Sequence, residues 1–208
     1  MNPRKKQKKT RPKSISQLKA QNRDEAGISS MGAFIANLAS RDDSKRVKAR
    51  QVLVALGKAA IPSLIEALEN RNTLMRWEAA KALGEIGDPE TAPALIKALE
   101  DKEFDVRWLA AEALTKMNIN SLKPLLEALE TRGDSVMLQE GAHHVFHDLA
   151  KGALRKCLAP VLAALERLEP GEVPWVAPHD MAVEVPWAAR QSLELLEKAN
   201  KCEVPSSS

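Results

Sequence analysis

Residues 140–148, Glu-Gly-Ala-His-His-Val-Phe-His-Asp, hold three of the four histidines in the 208-residue chain. His143 and His147 stand four apart, so a helix places both imidazoles on one face, a spacing that can chelate a transition metal. Glu140 with His143 also has the Glu-x-x-His form of two-metal carboxylate bundles, but those need a second copy and the sequence has none. His143 and His147 are therefore the metal-ligand candidates. The competing reading is a polar helix face whose imidazoles contact a partner, and no cofactor is expected.

Nucleophiles are sparse. Cys157 and Cys202 lie 45 residues apart, in no metal-ligand spacing, and read as reduced thiols of a cytoplasmic protein rather than a disulfide framework. A cysteine between Lys156 and Leu158, inside an apolar-periodic segment, behaves as a small buried hydrophobe. Neither a Ser-His-Asp nor a Cys-His arrangement is supported by chain order or local motif. The chain is expected not to be an enzyme.

Tryptophan carries the stronger pattern. Val-Arg-Trp-Leu-Ala-Ala-Glu-Ala-Leu (106–114) repeats Met-Arg-Trp-Glu-Ala-Ala-Lys-Ala-Leu (75–83) and returns as Val-Pro-Trp-Ala-Ala-Arg-Gln-Ser-Leu (185–193). Helical residues advance by ~100°, which puts Trp108 about 160° from Ala110 and outside the stripe of Val106, Ala110, Ala113, Leu114 and Met117. Aligned copies then form a row of Arg50, Trp77, Trp108, Glu140 and Trp187, flanked one turn on by Lys81, Glu112 and His144. Trp and Arg dominate the energetics of protein interfaces, so this row is the expected partner-binding site. The alternative is that each indole lies flat between neighbouring repeats, since Trp is mostly buried on average.

Elements that could position such a row are legible as an internal repeat. Pro-Ser-Leu-Ile-Glu-Ala-Leu-Glu (62–69), Pro-Ala-Leu-Ile-Lys-Ala-Leu-Glu (93–100) and Lys-Pro-Leu-Leu-Glu-Ala-Leu-Glu (123–130) recur every 30 to 31 residues, each followed by a polar turn and a second apolar-periodic segment. The unit is a helical hairpin, and weaker copies at both ends bring the total to five hairpins and ten helices. The fold class is all-α. Asp88 and Asp105 are expected as helix caps, Pro62, Pro93 and Pro124 as openings of first helices, and Gly84 and Gly87 near a helix end where positive φ is cheap.

The Asp-Val-Arg opening a second helix, the run Ala-Ala-Lys-Ala-Leu-Gly-Glu-Ile-Gly-Asp-Pro (79–89) and the in-phase prolines resemble HEAT repeats, in particular the short variety shared with phycobilisome lyase-type proteins. The likeness covers roughly residues 30 to 199 and implies an armadillo-type α-solenoid with second helices on its concave side, where another protein would bind. Deoxyhypusine hydroxylase, a HEAT-like metal enzyme, carries His-Glu pairs at the start of second helices, but Trp77-Glu78 and Trp108-Leu109 stand here and that activity is not expected. Resemblance to bilin lyases implies, as the alternative, a chaperone-type partner subunit. HEAT-like alkylpurine DNA glycosylases set Trp and a carboxylate on the concave face, which Trp108 with Glu112, and Trp187, resemble loosely, but a DNA groove needs dense Lys and Arg and the body here is anionic.

Net charge is +3, yet residues 1–23 contain nine Lys or Arg and no acid, leaving a body of about −6. Residues 1–28 therefore read as a disordered basic tail, in which Arg4, Lys5, Lys6, Lys8, Lys9, Arg11 and Lys13 either solubilise the chain or contact anionic partners such as nucleic acid or the ribosome. The solenoid is expected over 29–200, with a proline-rich insertion at about 169–186 whose Trp175 and His179 either fold back over the concave groove as a partial lid or, as the favoured reading, cap the last repeat, and a flexible tail at 201–208. No apolar run approaches the ~20 residues a spanning helix requires, and the monomer is the expected state.

Overall fold

The computed structural model describes residues 31–166 and 178–202 of the chain. A helical stretch at 31–37 (α1) is followed by α2 (Asp43–Leu56), α3 (Ile61–Leu68), α4 (Thr73–Ile86), α5 (Ala92–Ala98), α6 (Phe104–Lys116), α7 (Ile119–Arg132), α8 (Val136–Leu149), α9 (Leu154–Glu166) and α10 (Pro178–Cys202). These are five antiparallel pairs, and among the described residues there is no strand. The basic tail, Trp175 and residues 203–208 lie outside the described residues.

Local chemistry sets the helix limits. The side chains of Asp42, Asn72 and Asp88 accept hydrogen bonds from the backbone N–H groups of Ser44, Leu74 and Glu90, satisfying donors that the first turn leaves free. Gly87 closes α4 at φ 66°, a conformation without penalty for glycine. Pro62 and Pro93 occupy the first turns of α3 and α5 as expected. Pro124 does not: α7 begins five residues earlier at Ile119, because the turn that is a separate 3-10 segment before α3 and α5 is here continuous with the helix. Asp105 is also not a cap, since it sits inside the first turn of α6, after Glu103. Asp101 instead accepts from the Glu103 N–H at 2.9 Å.

The second helices α2, α4, α6 and α8 pack in succession, and the first helices α3, α5 and α7 form a parallel layer behind them. Alanines at 79, 80, 82, 110, 111 and 113, all 3% exposed or less, let α4 and α6 approach closely. Gly84 belongs to this contact rather than to a positive-φ turn: a Cβ there would lie 2.8 Å from the Ala113 Cβ. Between the layers Leu64, Leu83, Leu95, Leu99, Leu114, Leu125, Leu129 and Phe146 are fully buried.

The last pair breaks the pattern. Helix α9 packs on α8, and α10 packs on α7. The fifth hairpin is therefore turned over, with its second helix in the first-helix layer. Arg190 of α10 donates from Nε to Glu130 of α7 at 2.8 Å, and a Cβ at Gly133 would lie 2.6 Å from the Pro186 ring. The proline-rich insertion is also shorter than its composition suggests, because α10 starts at Pro178 and carries Pro186 inside it.

Taken together, residues Asp43–Leu68 meet the length and composition of a membrane span, with a mean hydropathy of 1.5 over the best window. The sequence expectation is exceeded in that sense alone, because Gly57 at φ 56° divides the run into α2 and α3, of 14 and 8 residues. The same run gives Leu53, Ala60, Ile61 and Leu64 to the interior of the first two repeats, which accounts for its apolarity.

Candidate functional site

One recurring side chain sets the register of the second helices. The fourth residue of α2, α4, α6 and α8 is Arg46, Arg76, Arg107 and Gln139, and each donates to the carbonyl six residues before it: Ser40 (2.7 Å), Asn70 (3.0 Å), Asp101 (2.9 Å) and Gly133. These clasps tie α2, α4, α6 and α8 to the turns leading into them, whereas α10 carries Pro186 at the matching position. Arginine suits the role because its fork serves several acceptors at once. Arg76, 5% exposed, also grips both carboxylate oxygens of Asp101 in the next repeat at 2.7 and 2.9 Å, which raises its pKa further above the ordinary guanidinium value. Between repeats one and two the equivalent link is Glu78, which is 2% exposed and accepts from Arg46 Nε at 3.2 Å and Arg50 Nε at 2.9 Å.

With that register fixed, the residue after each clasp is Val47, Trp77, Trp108 and Glu140. Arg50 is not in this row; it sits three residues further on, with 11% of its side chain exposed, bound to Glu78 and Glu85. Trp77 is half-buried and carries the Lys81 ammonium 4.8 Å above its ring. Trp108 is 47% exposed and Glu140 is exposed. Trp187 is 60% exposed, but it lies on α10 in the opposite layer and is not brought into line with Trp77 and Trp108. The inverted last pair is the physical reason.

The best-defined cluster spans α6 and α8. The Trp108 ring centroid is 4.8 Å from that of His144 and 6.3 Å from that of Phe104. His144 Nε2 is within 3.5 Å of Glu112 and 3.9 Å of Asp148, ion-pair distances at which it makes no hydrogen bond. Three apolar side chains that the sequence pattern does not single out, Phe104, Val136 and Met137, are exposed on the first turns of the same helices, and Leu74 is exposed at the matching place on α4. The available signal was an apolar residue directly after each polar turn.

His143 occupies the position held by Ala80 in α4 and Ala111 in α6; it is half-buried, and its Nε2 has no hydrogen-bond partner. Its ring is 6.1 Å from that of His147. Among the described residues no group of three or more potential ligands converges on a metal position. Cys157 is a buried free thiol.

Two architectural facts stand together: hairpins repeating every 30 to 31 residues, and α2, α4 and α6 fastened to their turns by an in-phase arginine, with Gln139 in its place on α8. A comparison with curated proteins gives no match. A family model described as HEAT repeats matches residues 32–115 and again 61–143, together more than half of the chain. The protein belongs to the HEAT-repeat family.

Proposed function

We propose that this chain is a non-catalytic, cytoplasmic and monomeric scaffold that binds another protein on its second-helix face. Trp77 and Trp108 serve as anchors, and Lys81, Glu112, Glu140 and His144 give the surface polarity. The observation that carries this reading is Trp108, an indole 47% exposed yet fixed between Phe104 and His144. A large side chain held in place before contact loses little conformational freedom on binding, and exposed apolar patches of this kind mark interaction surfaces. The run at 79–89 supports assigning the repeats to the short, phycobilisome lyase-like variety.

The test is affinity capture on the intact chain and on Trp77→Ala and Trp108→Ala, with thermal melts in parallel. Trp108→Ala, at an exposed position, should melt within about 3 °C of wild type, Trp77→Ala, at a half-buried one, should melt somewhat lower, and both should lose a shared set of bound proteins. Variants that melt much lower while retaining every partner would place the indoles in structural packing and end the proposal.

A further inference from the structure

We propose that the basic arm of this chain, residues 1–23, docks in cis on the α6–α8 face, with its Lys and Arg side chains over Trp108 and among Glu112, Glu140 and Asp148. This builds on the reading of the second-helix face as a docking surface and names one occupant for it. Phe104, Trp108, Val136 and Met137 are 63, 47, 63 and 43% exposed, an apolar strip that water covers at a cost. Glu140, His144 and Asp148 follow one stripe of α8, beside Trp108 and Glu112 on α6.

The charges on this face are incomplete. Glu69, Glu78, Glu100, Asp101 and Glu130 each pair with a Lys or Arg of a neighbouring repeat. Among the described residues, Glu112 and Asp148 have only imidazoles within ion-pair distance, and Glu140 has no ion pair. The aromatic rings nearby already hold cations: Lys81 lies over Trp77, and Arg107 is 5.6 Å from the Phe104 centroid. Trp108 holds none among the described residues. An ammonium or guanidinium placed over it gains both ring and carboxylate attraction.

Charge polarity selects this end of the array. Helix α2 sets Lys45, Arg46, Lys48 and Arg50 against Asp43, α4 and α6 each balance two bases against two acids, and α8 holds Glu140 and Asp148 with no Lys or Arg; the groove between α1 and α2 is lined by Lys45 and Lys48. A segment with nine Lys or Arg and no acid is repelled from α2 and drawn to α8. The reach suffices. Two to three helix spacings amount to roughly 20–30 Å, whereas thirty extended residues span up to about 100 Å. Tethering raises the effective concentration to the millimolar range, enough for contacts too weak to form between free molecules.

Zero-length carbodiimide coupling of Lys amines to carboxylates, run on the intact chain at low micromolar concentration, tests this. In the monomer band, junctions from Lys5, Lys6, Lys8, Lys9 or Lys13 to Glu112, Glu140 or Asp148 should exceed those to the exposed Glu66 and Glu90 at least threefold. They should vanish in 0.5 M NaCl, as screening requires, and fall by half or more in Trp108→Ala. An even spread over acidic residues, junctions confined to a dimer band, or unchanged yield in Trp108→Ala overturns the proposal. The two readings separate cleanly: if coupling fails while Trp108→Ala still loses partners, the scaffold stands and cis docking falls. If coupling succeeds and Trp108→Ala loses no partner, the face serves the arm and the scaffold reading falls.

Discussion

Removing one side of the Arg76–Asp101 pair isolates how the repeats are held together. Arg76 is 5% exposed and donates four hydrogen bonds: two to Asp101, at 2.7 and 2.9 Å, and two to the carbonyls of Asn70 and Arg71, at 3.0 and 3.2 Å. Arg76→Met keeps most of the packed volume but leaves the Asp101 carboxylate, whose side chain is 10% exposed, without its cation. Breaking a buried pair from one side costs about 3–5 kcal/mol. A domain of 150–250 residues loses roughly 2–4 °C per kcal/mol, so the variant should melt about 6–20 °C lower. Asp101→Leu should cost a similar amount, because it strands the guanidinium. The double variant should melt above the value expected from adding the two losses, with a coupling energy of about 1.5–3 kcal/mol. Circular dichroism melts and urea titrations of the four proteins complete the cycle. Additivity within about 0.5 kcal/mol would show that Arg76 and Asp101 act independently, and the account of a load-sharing clasp between repeats would fall.

Two further outcomes follow from individual contacts. Gly84→Ala should lower the melting temperature by a few degrees and Gly141→Ala by less: the first Cβ meets backbone and Cβ atoms of Ala113, the second chiefly the side chain of Leu99, which can rotate. Overpacking costs about 1–3 kcal/mol against the ~1 kcal/mol of helix propensity that alanine gains, so a stabilised Gly84→Ala would contradict the close approach of α4 and α6. Asp88 is held below the ordinary carboxylate pKa by the Glu90 N–H and then by Lys58, so its contribution is complete above about pH 4 and is lost as pH falls through the depressed value. Asp88→Asn should flatten that part of the melting temperature against pH curve, and an unchanged acid slope would remove Asp88 as the cause.

The hairpin period and the buried stripes were readable because they are local: Val106, Ala110, Ala113, Leu114 and Met117 share one helix face, and all five are 4% exposed or less. What escaped was relational. The clasps at Arg46, Arg76 and Arg107 recur at the repeat spacing but do not show as chemistry until the carbonyl six residues back is in view. Without them the repeat pattern aligns Arg50 with Trp77, a three-residue slip that turns an internal ion-pair residue into a surface one. The reversal of α9 and α10 could not be read from periodicity, since Val-Pro-Trp (185–187) keeps the second-helix pattern while packing in the first-helix layer against α7. Exposure at Trp108 was legible, whereas its contact with His144 depends on how two helices are set side by side.

The overturned last hairpin also limits how this array can lengthen. A duplicated unit spliced between α6 and α7 would find the same two docking edges that every internal unit finds, so copy number can grow there. One appended after α10 would meet those edges exchanged, its own leading helix facing a neighbour of the wrong kind. Growth of the ladder, by evolution or by grafting consensus modules, is thereby steered to its middle rungs.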